Sequence, residues 1–125
     1  MGNVAIEKVF SVDALPWRGL GDLPGARGFE FKPLVGDHPN YTTAFSFELV
    51  RLDPSDHSLP HIEPWNHALY FIKGNGEIRI GSETWPVREG KLARPCEGGE
   101  QHTLGNAGSG EMLILAIYNP PRRRS

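Results

Sequence analysis

Short apolar runs separated by glycine- and proline-containing turns fill this chain from residue 29 onward, and they limit what it can fold into. The sequence has 15 glycines and 11 prolines among its 125 residues. They lie between strongly apolar runs, so they indicate tight turns rather than low-complexity disorder. Only one segment is open to a helical interpretation. The pattern therefore predicts an all-β sandwich or barrel that forms a single domain, residues 1–125.

Nine segments have the composition of strands. The irregular N-terminal part, 1–27, is expected to contain one edge strand, and Trp17 is expected to fold back onto the domain as an apolar anchor. The turn at 74–76 is predicted to close a hairpin, and residues 119–125 form a tail. Many short strands without a long helix suggest an antiparallel jelly-roll barrel. The predicted strands are 4–12, 29–32 (interrupted by Pro33), 41–52, 67–73, 77–80, 83–87, 91–94, 102–104 and 112–118.

Two of these strands carry most of the fold prediction. Residues 41–52 have the alternation of a half-buried strand, with Tyr41, Phe45, Phe47 and Leu49 on one parity and Thr42, Ser46 and Glu48 on the other. Residues 112–118 are apolar on both faces, for which a helix is the rival interpretation. The length of seven residues, the glycine-rich approach and the Asn119-Pro120-Pro121 stop favour a strand that is covered on both sides.

Charge and hydropathy exclude two classes of partner. The formal net charge is −2, with 13 basic and 15 acidic side chains mixed along the chain. No basic stripe for a nucleic acid is present, and the run Arg122-Arg123-Arg124 is interpreted as a solvated tail. No stretch of about 18 apolar residues predicts a membrane span. A charged N-terminus unlike a signal peptide, and a single cysteine, Cys96, favour a reducing, cytoplasmic setting.

Two of the five histidines lie close together in the segment His61-Ile62-Glu63-Pro64-Trp65-Asn66-His67. His61 and Glu63 are two positions apart, so on a strand both side chains leave the same face. His67 would lie roughly 20 Å beyond His61 on a straight strand, but proline and asparagine between them permit a reversal. His102 follows a hairpin and two further strand segments, and an antiparallel barrel can return it beside the first pair.

These four groups, His61, Glu63, His67 and His102, are predicted to bind one divalent transition metal ion. Three imidazoles and a carboxylate suit Fe, Mn, Ni, Co or Zn. An octahedral ion would keep two positions for water or substrate, which favours a catalytic site over a structural one. Two alternatives stay open: a barrel that has lost its metal, and Glu63 as a general base beside a three-histidine site.

Residues 58–81 resemble the first conserved motif of the cupin superfamily. In that motif, two metal-binding histidines one residue apart precede a ligand carboxylate, and a glycine follows seven positions later. His61 has the first place, Glu63 stands where the second histidine usually is, and His67 stands at the carboxylate position. Gly74 lies seven residues after His67. The sequence therefore exchanges histidine and glutamate between two ligand positions.

Residues 90–106 resemble the second cupin motif. Gly90 and Pro95 open it, His102 has the metal-binding place, and Asn106 follows four residues later. The spacing between Pro95 and His102 is about one residue longer than the common form. The resemblance implies a small single-domain cupin: an antiparallel double-stranded β-helix, or jelly roll, that holds a metal ion through the four residues above. It also implies a homodimer, because cupins commonly pair through sheet edges and residues 4–10 could extend a neighbour's sheet.

Glu63 and Tyr70 are the residues predicted to act in catalysis. Tyr70 and Phe71 follow His67 on its strand, so one of them must point into the barrel. Cys96 is interpreted as a small buried residue, with a thiol that faces the cavity as the alternative. Other side chains are assigned by class. The pocket candidates, for which core packing is the alternative, are Tyr41, Phe45, Phe47 and Trp65, and the surface histidines are His38 and His57. The arginines interpreted as outward, with an inward arginine that pairs with a substrate carboxylate as the alternative, are Arg51, Arg79, Arg88 and Arg94.

Three functions are compatible with such a site. The first is a metal-dependent isomerase or lyase that moves a proton on a small organic acid or a carbonyl or sugar-derived compound, with the ion as Lewis acid. The ending 118–122 resembles that of single-domain cupins that help degrade pectin-derived unsaturated uronates. The second function is a non-haem iron dioxygenase, and the third is a non-catalytic protein that binds or senses a small ligand.

Overall fold

The computed structural model of this chain describes residues 8–19, 28–36, 42–59, 62, 65–96 and 100–122, with only the backbone for residues 95 and 96. In these ranges one short 3-10 turn, Val12–Ala14, precedes nine strands. The strands are β1 (Arg18–Gly19), β2 (Glu30–Val35), β3 (Ser46–Leu52), β4 (Asn66–Lys73), β5 (Asn75–Ile80), β6 (Glu83–Arg88), β7 (Leu92–Cys96), β8 (His102–Asn106) and β9 (Met112–Asn119).

The strands form two antiparallel sheets around one core. The larger sheet has the order β1-β2-β3-β9-β4-β7 and the smaller one has the order β6-β5-β8. Apolar side chains of both sheets join one buried cluster, in which Phe71, Ile78 and Ile114 are among the most completely buried. Each such side chain contributes about 1.5–3 kcal/mol by leaving water. The all-β jelly-roll prediction is confirmed. No helix in the described ranges is long and apolar enough to cross a membrane.

The run 112–118 is a strand, as predicted, and β9 is one of the two middle strands of the larger sheet. It pairs with β3 on one side and β4 on the other. Met112, Ile114 and Ala116 are fully buried and Tyr118 nearly so, while the alternate side chains are half-buried. Ser46 on β3 and His67 on β4 both pair with Tyr118 on β9. The three residues therefore lie side by side at one level of the barrel.

Strand β3 is confirmed from residue 46 onward, but its aromatic parity faces outward. Ser46, Glu48, Val50 and Leu52 are the buried residues of this strand, whereas Phe47 and Leu49 are half-buried on the other face. The physical reason is a tertiary contact: the Ser46 hydroxyl accepts the backbone N–H of Arg122 at 2.8 Å, inside the barrel. Polar side chains therefore occupy the inner face where a polar partner meets them.

The predicted hairpin at 74–76 is wrong, because β4 and β5 belong to different sheets. Gly74 changes the direction of the chain with a φ of +95°, a region that L side chains rarely adopt. A Cβ atom at this position would lie 2.8 Å from the Glu111 carbonyl oxygen and from the Met112 Cα atom. The turn therefore needs glycine, and it carries the chain from one sheet to the other. The next turn, at 81–82, does close a hairpin between β5 and β6.

The edge strand predicted at 4–12 is wrong where the structure describes it, since residues 8–11 are not in a strand and Val12 begins the 3-10 turn. The edge strand is β1, which pairs with β2. Trp17 does fold back onto the domain, where its ring lies 4.5 Å from Lys32 Nζ and 4.1 Å from Arg51 Cζ. Pro33 does not end β2, which continues past it through a register shift.

Candidate functional site

The fold brings His67 and His102 together from different sheets. His67 is the second residue of β4 in the larger sheet, and His102 is the first residue of β8 in the smaller one. Their side chains are almost completely buried, at 6% and 3% exposure. The ring centroids lie 4.9 Å apart, with the rings tilted by 56°. Two histidines that are 35 positions apart in the sequence therefore lie next to each other inside the barrel.

Both imidazoles are oriented by the backbone in the same way. Nδ1 of His67 lies 3.3 Å from the Trp65 carbonyl oxygen, and Nδ1 of His102 lies 3.2 Å from the Glu100 carbonyl oxygen. A carbonyl oxygen only accepts hydrogen bonds, so Nδ1 is the donor in each case. In a neutral imidazole the lone pair then lies on Nε2, which is the tautomer and support that metal-ligating histidines commonly have.

The pair fits a shared metal ion as part of a larger ligand set. Metal–nitrogen bonds of about 2.1 Å allow one ion to contact both rings at the observed separation. In the described ranges, no group of three or more His, Cys, Asp and Glu side chains is close enough to hold an ion. His61 and Glu63 lie outside those ranges. The four-ligand set therefore stays a prediction, of which the structure brings together two members.

The Tyr118 ring packs against His67, and Trp65 packs behind it on Tyr118. The Tyr118 ring centroid lies 5.3 Å from that of His67, and the two residues are partners in the β4–β9 register. Trp65, a predicted pocket residue, packs edge-on against Tyr118 with centroids 6.2 Å apart. Its carbonyl also holds the His67 ring, as described above. One face of the candidate site is therefore built from aromatic groups that limit access of water to the imidazole.

The sequence interpretation missed Arg122, which is buried at 8% exposure rather than solvated. Its guanidinium carbon lies 4.5 Å from the centroid of the Trp65 ring and 5.4 Å from that of Tyr118. Nη1 approaches the Tyr118 hydroxyl at 3.5 Å. Within a run of three arginines no local pattern distinguishes the one that turns inward, so only the tertiary fold could identify it.

The structure does not bring Tyr70 to this pair. Burial alternates along β4, so Tyr70 lies on the opposite face from His67 and is 43% exposed. Phe71 is the residue that points into the barrel. His57 is exposed as predicted, and so are Arg79, Arg88 and Arg94, while Arg51 is partly buried. Tyr41, His38 and the Cys96 side chain lie outside the described part of the chain.

An apolar cleft of about 420 Å³ opens between β6 and β7, the edge strands of the two sheets. It reaches Ile80, which is the register partner of His102 on β5. Seven of its nine lining residues are apolar, and the other two are cations, Lys91 and Arg94. The cleft has the size of a small-molecule pocket. The lining residues are Ile78, Ile80, Trp85, Pro86, Val87, Lys91, Leu92, Ala93 and Arg94.

Solved structures similar to this chain share its fold. A protein described as a predicted oxalate decarboxylase from Thermotoga maritima is 20% identical, with a TM-score of 0.77, over 90% of this chain and 98% of that one. KdgF from Halomonas sp. is 17% identical, with a TM-score of 0.76, over 90% and 94%. The polyketide cyclase RemF from Streptomyces resistomycificus is 19% identical, with a TM-score of 0.78, over 91% and 80%.

Sequence comparison agrees with the structural one at the level of the family. No curated protein matches the chain significantly. The Cupin domain family matches residues 48–118, which is more than half of the chain and includes both histidines of the site. This chain belongs to the cupin family.

Proposed function

We propose that this cupin is a metalloenzyme that promotes proton transfer on a small organic acid or carbonyl compound. The centre would be one divalent transition metal ion held by His61, Glu63, His67 and His102. The observation that supports this most directly is the buried pair of His67 and His102, whose Nδ1 atoms both donate to backbone carbonyls. An imidazole that donates from Nδ1 to a backbone carbonyl carries its lone pair on Nε2, which is the arrangement that metal-ligating histidines commonly have.

The residues of the chain would share the chemical work. When bound, the ion supplies Lewis acidity to a carbonyl or carboxylate oxygen. His67 and His102 would help to hold the ion, and the aromatic side chains of Trp65 and Tyr118 would limit the access of bulk water to it. Glu63 is the proposed base when it is not itself a ligand, because a carboxylate beside a cation keeps its charge.

The cleft between β6 and β7 supports an acid as the substrate. Its apolar walls suit the carbon skeleton of a small molecule, and Lys91 and Arg94 are suited to pair with a carboxylate. Ile80 connects the cleft to the histidine pair through its register with His102. A substrate anchored by its carboxylate at the outer end would extend its reacting carbon towards the centre.

Deuterium exchange tests the proposed reaction directly. The protein is reloaded with Mn²⁺, Co²⁺, Ni²⁺, Zn²⁺ or Fe²⁺, placed in D₂O under nitrogen with pyruvate or 2-oxobutyrate, and followed by proton NMR. We expect loss of the signal of the hydrogens next to the carbonyl, as C–H becomes C–D, and we expect His102→Ala to abolish it. Binding of the acids without exchange by any loaded form would contradict an enzyme and favour a sensor. Consumption of the acid in a parallel run under air, but not under nitrogen, would instead favour a dioxygenase.

A further inference from the structure

The C-terminal segment enters the barrel at Arg122. After β9 the chain passes Pro120 and Pro121, and the backbone N–H of Arg122 donates to the Ser46 hydroxyl on β3 at 2.8 Å. Ser46 and Tyr118 are register partners in the larger sheet. The backbone of residue 122 is therefore fixed at the level of the histidine pair, whatever its own side chain does.

The guanidinium of Arg122 contacts two rings at once. Trp65 lies 4.5 Å away and Tyr118 lies 5.4 Å away, and the hydroxyl of Tyr118 is 3.5 Å from Nη1. A cation over an aromatic face is attracted by the negative face of the ring, and more strongly when the pair is shielded from water. Since the arginine is buried and the two rings also pack against each other, the three side chains form one rigid group.

Both of these rings belong to residues that hold His67. The Trp65 carbonyl accepts the hydrogen bond from His67 Nδ1, and the Tyr118 ring packs against the imidazole. Movement of either residue would change the direction of Nε2. The other imidazole, that of His102, is held by the Glu100 carbonyl, on a different segment of the chain.

From this chain of contacts we propose that Arg122 is a positioning residue for His67: it fixes Trp65 and Tyr118 and so aims the imidazole at the metal. The inference rests on the proposed function where it treats His67 as a metal ligand. Loss of a side chain that orients a ligand typically weakens metal binding 10- to 100-fold. A role in stability alone predicts a different result. Arg122 lines a small void together with the buried carboxylate of Glu48, and charge compensation there would leave metal affinity unchanged.

The chain offers a matched control for this test. Arg51 also stacks on a tryptophan, Trp17, at 4.1 Å, but Trp17 precedes β1 and packs on the outside of the larger sheet. Arg122→Met and Arg51→Met each remove a stacked guanidinium while keeping a long side chain. Arg122→Lys keeps the charge and loses the planar group.

The first readout is the affinity of the full chain for Co²⁺, measured by competition with a chelator. We expect Arg122→Met to bind Co²⁺ about 10- to 100-fold more weakly than wild type, Arg122→Lys to recover part of the loss, and Arg51→Met to stay within twofold. An affinity of Arg122→Met equal to that of Arg51→Met would overturn the proposal. If circular dichroism shows that Arg122→Met does not fold, the Co²⁺ affinity of Arg122→Lys is compared with that of Arg51→Met instead.

The second readout needs no metal. In the metal-free protein, Arg122→Met should move the ¹⁵N resonances of the His67 imidazole and leave those of His102 in place. A wild type without stoichiometric Co²⁺ binding would remove the proposed function, and the His67 resonances would then decide the role of Arg122 alone. If Arg122→Met left the His67 ¹⁵N resonances unchanged, the proposed role of Arg122 as a positioning residue would be wrong.

Discussion

His67 and His102 lie 4.9 Å apart, yet the strands that carry them belong to different sheets. Only the packing of one sheet on the other keeps the two rings together. A ligand that contacts both imidazoles would therefore link the two halves of the barrel. Because such a ligand binds the folded state alone, it must raise the stability of that state.

The first prediction concerns thermal stability with metal. Co²⁺ at about 100 times its dissociation constant should stabilise the wild type by about 2.7 kcal/mol, which corresponds to a rise of several degrees in Tm. In His102→Ala the rise should disappear, because one of the two sheets loses its ligand. His57→Ala is the control, since His57 is exposed and should leave the response unchanged. Differential scanning calorimetry measures all three, and an unchanged Co²⁺ response of His102→Ala would contradict the assignment.

Tyr70 provides a test between sequence and structure. The sequence predicts Tyr70 as a catalytic residue, whereas its side chain lies on the outer face of β4, 43% exposed. We expect Tyr70→Phe to exchange 2-oxo acid hydrogens within twofold of wild type, because the hydroxyl is on the wrong side of the sheet. If Tyr70→Phe exchanged these hydrogens ten times more slowly than wild type at an unchanged Co²⁺ content, Tyr70 would belong to the catalytic site.

The turn between the sheets gives a prediction about folding stability. Gly74→Ala places a Cβ atom 2.8 Å from the backbone of 111–112 and at a φ of +95°, so we expect a loss of about 2–4 kcal/mol. Gly90→Ala is the matched control: its φ is +85°, but nothing lies within 4 Å of the new atom. Strain alone should cost about 1 kcal/mol there. Urea denaturation compares them, and equal losses would mean that the close approach at 74 is unimportant.

Strands β9 and β4 show most clearly which features of the structure can be predicted from the sequence. A strand at 112–118 followed from composition and stop signals, and the structure has it within a residue. His67 and His102 were selected because imidazoles at such spacing can meet in a barrel, and they do. The strand was predictable because its period and turn chemistry are properties of local sequence, whereas the metal site at the two histidines stays a prediction.

The errors have a common physical origin in tertiary contacts. A turn with glycine looks the same whether it joins two paired strands or carries the chain to another sheet, so the hairpin at 74–76 was wrong. Aromatic parity in β3 suggested the inner face, but the inward residues are Ser46 and Glu48 because Arg122 enters the barrel beside them. A buried arginine at the end of the chain leaves no periodic signal, and its partners lie on β3, on β9 and just before β4.

A homodimer is the fourth prediction. Val9 is 89% exposed and Phe10 also lies open to solvent, which leaves apolar surface for a second copy to cover. Light scattering should give about twice the 13.8 kDa mass for the full chain, and about the monomer mass for a variant that begins at residue 11. A monomeric full chain, or a dimer that survives the truncation, would reject pairing through this segment.

The last prediction concerns recognition of the acid. Arg94 lines the cleft that includes Ile80, the register partner of His102, whereas Arg79 is exposed on β5 and donates through Nε to the Gly81 carbonyl at 3.2 Å. With the 2-oxo acid that exchanges fastest, we expect Arg94→Gln to raise KM about tenfold and to change kcat less, since a lost charge-assisted contact weakens binding of substrate and transition state alike. Arg79→Gln should leave KM unchanged. Because ions screen such a contact, the tenfold difference should shrink as salt rises; equal KM values for the two variants at low salt would place the carboxylate elsewhere.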